Sequence, residues 1–245
     1  MALVTGVGRR VGIGAAITER LAATGWDVGF TYWRAYDGRM PWGRDVAALE
    51  VIRQRLDELG ARSHAMEADL EDVSSPTAVF DRISAELGGV QALVMSHCES
   101  VDSGLLDTSV ESFDRHFAVN TRASWLLIRE FAPRYRGEHG SGRIIALTSD
   151  ATVGNLPYGA SKGALDRITI AAAKELSHLG VTANVVNPGP TDTGWMSDEL
   201  ADRISKATPL GRLGQPLDCA NLVAFLCSPE GRWINGQLIL SDGGL

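Results

Sequence analysis

Short apolar runs, several of them β-branched, recur along the chain between longer stretches in which apolar positions return every three or four residues. The runs are ALVT (2–5), DVGFTY (27–32), SHAME (63–67), ALVM (92–95), RIIALT (143–148), VTANVVN (181–187) and QLILS (237–241). Helical periodicity covers 15–24, 45–59, 76–87, 111–131, 158–179 and 216–227. Continuously apolar strands with helices between them are the pattern of a parallel sheet covered on both faces. The expected fold is therefore α/β, a single domain over 1–245 with a seven-stranded parallel sheet. Two stretches escape the periodicity: RAYDGRMPWG (34–43), expected as a long connection, and PGPTDTGWMSDELADRISKATPLGR (188–212), expected as a mobile substrate lid. Both follow strands, and ligands of such sheets bind beyond the strands' carboxyl ends.

Composition narrows the partners. With 44% hydrophobic residues in a chain of 245, one sizeable core can form, which agrees with a single domain. A net charge of −7 with scattered Lys and Arg argues against nucleic acid. No apolar stretch reaches the roughly 18 residues of a membrane span, and MALVTG lacks the basic-then-apolar order of an export signal. Cys98, Cys219 and Cys227 are widely spaced and form no C-x-x-C pair, so neither a disulfide framework nor a metal site is expected. A reducing cytoplasm fits them.

TGVGRRVGIG (5–14) follows the first strand and opens the first helix. Gly6 permits the tight turn, Gly12 lets backbone approach a pyrophosphate, and Gly14 lets helix and strand pack closely. The helix that starts at Ile13 then offers free N–H groups and a positive dipole to phosphate. After the second strand, where an acid often holds an adenosine ribose hydroxyl, the chain reads Tyr32, Trp33, Arg34. Arg34, with Arg9 or Arg10, would attract a 2′-phosphate, so NADP(H) is favoured over NAD(H), although Asp37 lies close by. Asp69, with Leu70 beside it, either accepts from the adenine amino group or serves as a turn aspartate before the next helix.

SDATVGNLPYGASK (149–162) carries the candidate chemistry. Lys162 lies one helical turn beyond Tyr158, and its ammonium would favour the phenolate of a side chain whose ordinary pKa is about 10. Ser149 ends the fifth strand and can reach a carbonyl oxygen beside Tyr158. Asn120 is a polar position in an apolar-periodic helix and a candidate anchor for a water leading to Lys162. NPGPTDT (187–193) ends the sixth strand, so Pro188, Gly189, Thr191 and Thr193 are candidates for a nicotinamide carboxamide.

These motifs resemble the short-chain dehydrogenase/reductases over nearly the whole chain: the glycine turn, Asn120, Ser149, Tyr158-x-x-x-Lys162, Pro188-Gly189 and the C-terminal INGQLILSDGG. The chain looks most similar to 3-oxoacyl-(acyl carrier protein) reductase-like members. The resemblance implies a doubly wound Rossmann sheet and catalytic roles for Asn120, Ser149, Tyr158 and Lys162, the last two also touching the cofactor. It implies hydride transfer between a nicotinamide and a small-molecule carbonyl or alcohol, in a homodimer or homotetramer.

The pattern departs from the family in three places. Only residues 150–157 separate Ser149 from Tyr158, a shorter connection than the family's usual one, with Thr152 as the alternative hydroxyl. The family's NNAG after the fourth strand is replaced by Met95, Ser96, His97 and Cys98, which leaves Ser96 and His97 as candidate cofactor contacts. His97 is open to two readings, a proton carrier or a packed histidine. The glycine turn is longer than the common form and in this is similar to enoyl-(acyl carrier protein) reductases. Those have a wider tyrosine–lysine spacing, which speaks against C=C reduction here. Two competing readings stay open: a dinucleotide-binding sensor or scaffold with weakened catalysis, and an enoyl or imine reductase.

Overall fold

The computed structural model describes all 245 residues, Met1–Leu245. Seven strands form one parallel sheet: β1 (Ala2–Thr5), β2 (Val28–Tyr32), β3 (Ser63–Glu67), β4 (Ala92–Met95), β5 (Arg143–Leu147), β6 (Thr182–Asn187) and β7 (Leu238–Leu240). Their order is β3-β2-β1-β4-β5-β6-β7, so the chain reverses its direction of travel between β1 and β4. That reversal opens a crevice outside the carboxyl ends of these two strands.

The central strands are apolar on both faces because helices cover both. On one face lie α1 (Ile13–Ala22), α3 (Ala48–Glu58) and α9 (Pro216–Cys227), which contribute Ile17, Leu21, Ile52, Leu56, Val223 and Leu226 to one core. The other face is covered by α4 (Ser75–Leu87), α6 (Ala123–Arg134) and α7 (Leu156–Glu175), with Phe80, Ile83, Leu127, Phe131 and Leu165 in a second core. β7 has a helix-free edge, and its Leu238 and Leu240 are exposed. No helix is long and apolar enough to cross a membrane.

Local chemistry sets the helix starts. Proline occupies the first turn of α4, α7 and α9, where its missing N–H costs nothing, and α9 adds a capping box between Gln215 and Asp218. Three of the expected boundaries change. The connection at 34–43 contains α2 (Arg34–Arg39), a short helix. The stretch at 188–212 contains α8 (Asp198–Ala207), capped by the Ser197 hydroxyl, so it is not one unbroken loop. The helix expected over 111–131 is composite: α5 (Val110–His116) passes through a π-helical turn, Phe117–Arg122, into α6.

Arg143 ties β5 to the far end of α9. Its guanidinium is buried, and Nε donates to the Leu226 carbonyl at 3.0 Å while an Nη donates to the carbonyls of Gly140 and Gly142, each at 2.9 Å. Carbonyls at a helix C-terminus favour a cation. Arg143→Met removes these donors and strands buried acceptors, and should lower unfolding free energy by about 2–4 kcal/mol in urea titrations.

Candidate active site

β5 delivers Thr148 and Ser149 to the crevice, and α7 returns beside them. Lys162, in the second turn of α7, is 2% exposed, and its Nζ donates to the Leu147 carbonyl at 2.8 Å. An ammonium out of water needs such acceptors, and burial lowers its pKa. Tyr158, one turn earlier, stacks its ring 5.7 Å from that ammonium. Burial raises the phenol's pKa, mainly by desolvation, and a hydrogen bond with the Ser149 side chain works the other way. The expected lowering by Lys162 is therefore not realised in this state: the ammonium is committed to Leu147, and desolvation dominates.

The short Ser149–Tyr158 connection is possible because of Gly159. A Cβ on that residue would lie 1.8 Å from the Ala151 carbonyl oxygen, so the loop presses directly onto the first turn of α7. Ser149 keeps its place through its Oγ, which accepts from the Ala151 N–H at 3.1 Å. Thr152, the alternative hydroxyl, is exposed.

Asn120 sits in the π-helical turn and is fully buried. Its Oδ1 accepts from the Glu99 N–H at 2.7 Å, and its Nδ2 donates to the Glu99 carbonyl and to Ser161 Oγ, both at 2.9 Å. Ser161 in turn donates to the Tyr158 carbonyl at 2.7 Å. The Asn120 amide is thus a brace between the Glu99 backbone and α7. The extra residue of a π-turn is what re-aims a side chain inward in this way.

His97 is also structural. Its Nδ1 is hydrogen-bonded to Thr5 Oγ1 at 2.6 Å, and its Nε2 lies 3.0 Å from the Val119 carbonyl, joining the end of β1 to the π-turn. Burial, with Lys162 nearby, pushes its pKa down to about 3. Its backbone packs on Gly6: a Cβ there would lie 2.6 Å from His97 Cα, and Gly6 has φ +79°. Ser96 is half-buried on the same floor. Cys98 carries a thiol whose pKa burial raises, so it is not a poised nucleophile.

The glycine turn matches what a dinucleotide pyrophosphate requires. Gly14 packs on the Gly6 carbonyl, leaving 2.6 Å where a Cβ would stand. Gly12 caps α1 without a side chain, and neither a side-chain cap nor an acidic residue meets the first turn, so its N–H groups remain available to an anion. Pro188, Gly189 and Thr191 follow β6, and Thr191 Oγ1 donates to the Gly189 carbonyl at 3.2 Å. Asp69 accepts from the Glu71 N–H at 2.9 Å, the turn-aspartate reading, and Leu70 is buried beside it.

The expected cations are brought near the turn but are already engaged. Arg9 donates to the Thr193 carbonyl at 2.7 Å and lies 4.6 Å over the Trp42 ring. Arg10 pairs with Asp45 at 2.8 Å, and Arg34 with Glu67 at 3.3 Å; Trp33 is exposed. Sequence reasoning noted Asp37 as close by and missed Tyr36 as a neighbour of this crevice. Asp37 approaches Gly8, its Oδ2 2.4 Å from the place of a Cβ. The Tyr36 hydroxyl is in hydrogen-bonding reach of the Ser100 backbone and the Cys98 thiol.

Two expectations can be measured. Gly159→Ala drives a methyl into the Ala151 carbonyl and should shift loop 150–157, reducing turnover at least about tenfold while costing about 1–3 kcal/mol of stability. His97 contributes acid sensitivity: between pH 6.5 and about 3 the unfolded chain binds a proton that the folded one excludes. Stability is full above 6.5 and falls as pH drops, by up to about 1.4 kcal/mol per pH unit. His97→Asn should show a shallower fall of urea midpoints over that window than the parent.

The family model described as enoyl-(acyl carrier protein) reductase matches residues 6–245. An uncharacterized oxidoreductase of Bacillus subtilis (strain 168), YjdA, is 39% identical, covering 100% of this chain and 96% of that protein. An NADPH-dependent aldehyde reductase-like protein, chloroplastic, of Arabidopsis thaliana is 35% identical over 100% of this chain and 93% of its own length. Among solved structures, a short chain dehydrogenase from Burkholderia cenocepacia J2315 in complex with NADP is 34% identical with a TM-score of 0.87, covering 99% of this chain and 96% of that one. A blue fluorescent protein from a metagenomic library, in complex with NADPH, has the same TM-score at 33% identity over 99% and 96% of the two chains. The doubly wound sheet, the glycine turn and the Ser149, Tyr158 and Lys162 cluster agree with these likenesses over the full length, and the chain belongs to the short-chain dehydrogenase/reductase family of NAD(P)-dependent oxidoreductases.

Proposed function

We propose that the chain is an NADP(H)-dependent carbonyl reductase, working reversibly as an alcohol dehydrogenase, with aldehydes, ketones or 3-oxoacyl thioesters as the substrate class. The observation that carries this reading is the convergence of Ser149, Tyr158 and Lys162 in one desolvated corner at the end of β5. The names of relatives that use NADPH and the structures holding NADP or NADPH support the cofactor. Gly6, Gly12, Ile13 and Gly14 would hold its pyrophosphate, Lys162 and Tyr158 its nicotinamide ribose, and residues 188–193 its carboxamide. When bound, the nicotinamide supplies or accepts the hydride.

The chain's own residues handle the proton. Tyr158 gives its phenolic proton to the substrate oxygen during reduction and takes it back in the reverse direction. Ser149 donates a hydrogen bond to the same oxygen. Lys162 stabilises the phenolate left behind. Asn120 positions α7 through Ser161. Three free cysteines support a reducing, cytoplasmic setting, and exposed Trp233, Leu238 and Leu240 beside the free β7 edge support a homodimer or homotetramer.

The alternative, a dinucleotide-binding sensor or scaffold, is favoured by one observation, the approach of Asp37 and Tyr36 to the crevice. NADPH binding without its oxidation by any of a broad panel of ketones, aldehydes and oxoacyl thioesters would establish it. On the enzymatic reading, Tyr158→Phe should keep NADPH affinity within about twofold and lose about 10²–10⁴ of turnover. Because burial holds the phenol protonated beyond its ordinary range, reduction should be flat from about pH 6 to 9, and alcohol oxidation should rise with pH throughout. Normal turnover in the phenylalanine variant would reject the mechanism.

A further inference from the structure

The segment from Arg34 to Asp45, α2 and the turns after it, lies against the glycine turn and is fastened at three points. Arg39 forms an ion pair with Glu99, whose side chain is 3% exposed and whose backbone is the one Asn120 braces. Trp42 donates from Nε1 to Asp37 at 3.1 Å and lies under the Arg9 guanidinium. Asp45 accepts from both the backbone and the side chain of Arg10. The segment therefore presents to the glycine turn the chemistry of an anionic aromatic ligand: a carboxylate against Gly8, an acid on Arg10 and a ring under Arg9.

A cavity of about 250 Å³ lined by Gly8, Tyr32, Arg34, Asp37, Arg44 and Asp45 lies beside the turn, below the roughly 300–1,000 Å³ of ordinary ligand pockets. None of its lining residues belongs to the Ser149, Tyr158 and Lys162 cluster. A pyrophosphate approaching Gly8 would face the Asp37 carboxylate across a desolvated gap, where like charges repel strongly.

We propose that residues 34–45 form an autoinhibitory strap, latched by Arg39 and Glu99, that occupies the mouth of the dinucleotide crevice and must lift before NADP(H) can bind. This rests on the NADP(H) reading above. The strap lowers apparent cofactor affinity by the fraction of time it is closed, and lifting it frees Arg9 and Arg10 for phosphate. Burial of Asp37, which raises its pKa while Arg9 opposes the rise, accords with a carboxylate held out of water by the closed strap.

Hydrogen–deuterium exchange of peptides spanning 34–45 in the full chain, with and without NADPH, tests the strap, together with NADPH titrations of the parent, Glu99→Gln and Trp42→Ala. The two variants loosen two different fastenings of the segment, so a folding defect in one leaves the other informative. Faster exchange in 34–45 on adding NADPH, and about three- to tenfold tighter binding by the variants, are expected. Slower exchange there, or variants that bind no more tightly than the parent, would show a segment that clasps or ignores the cofactor and would overturn the strap while leaving the NADP(H) reading intact. Absence of NADPH binding in all three proteins would overturn both.

Discussion

The buried hydrogen bond from Lys162 to the Leu147 carbonyl is the constraint on which the rest of the site depends. An ammonium at 2% exposure cannot stay there without an acceptor, and the acceptor is the last residue of β5. The bond therefore fixes the rotation of α7 against the sheet. With that rotation set, Tyr158 faces the strand end where Ser149 stands, half-buried beside the buried ammonium.

A second layer holds the first. Thr148 Oγ1 lies 3.5 Å from the Lys162 carbonyl, Thr121 donates to the Ser161 carbonyl at 2.8 Å, and Asn120 reaches the Ser161 hydroxyl between the two catalytic residues. The π-turn makes this possible by turning Asn120 inward, and His97 supports the turn from below through the Val119 carbonyl. With MSHC where the family has NNAG, the floor of the crevice is braced by an imidazole that burial keeps neutral.

The charge distribution around the glycine turn joins cofactor recognition to α2. Arg9, Arg10 and Arg34, the cations expected to attract a 2′-phosphate, are each engaged by Trp42, Asp45 or Glu67. Glu99 links this surface to the catalytic floor, since its side chain holds Arg39 while its backbone holds Asn120. Glu99 and Asn120, both buried, thus link α2 to α7 through one chain of polar contacts.

The sequence by itself determined the layers and the neighbourhood of Ser149, Tyr158 and Lys162. Strands and helices follow from local periodicity and from proline and glycine punctuation, and Ser149, Tyr158 and Lys162 lie within one strand–loop–helix unit whose geometry is short-range. The glycine turn was legible for the same reason. Tertiary structure alone decided what α2 does, because six helical residues interrupted by Gly38 carry too little period to be read, and its partners Glu99 and Gly8 are distant in sequence or loop-bound. It also decided that Asn120 is a brace, that His97 is a strut and that the Tyr158 phenol is held protonated. Each of those outcomes depends on burial and on contacts between separate elements, and neither quantity exists until the chain has folded.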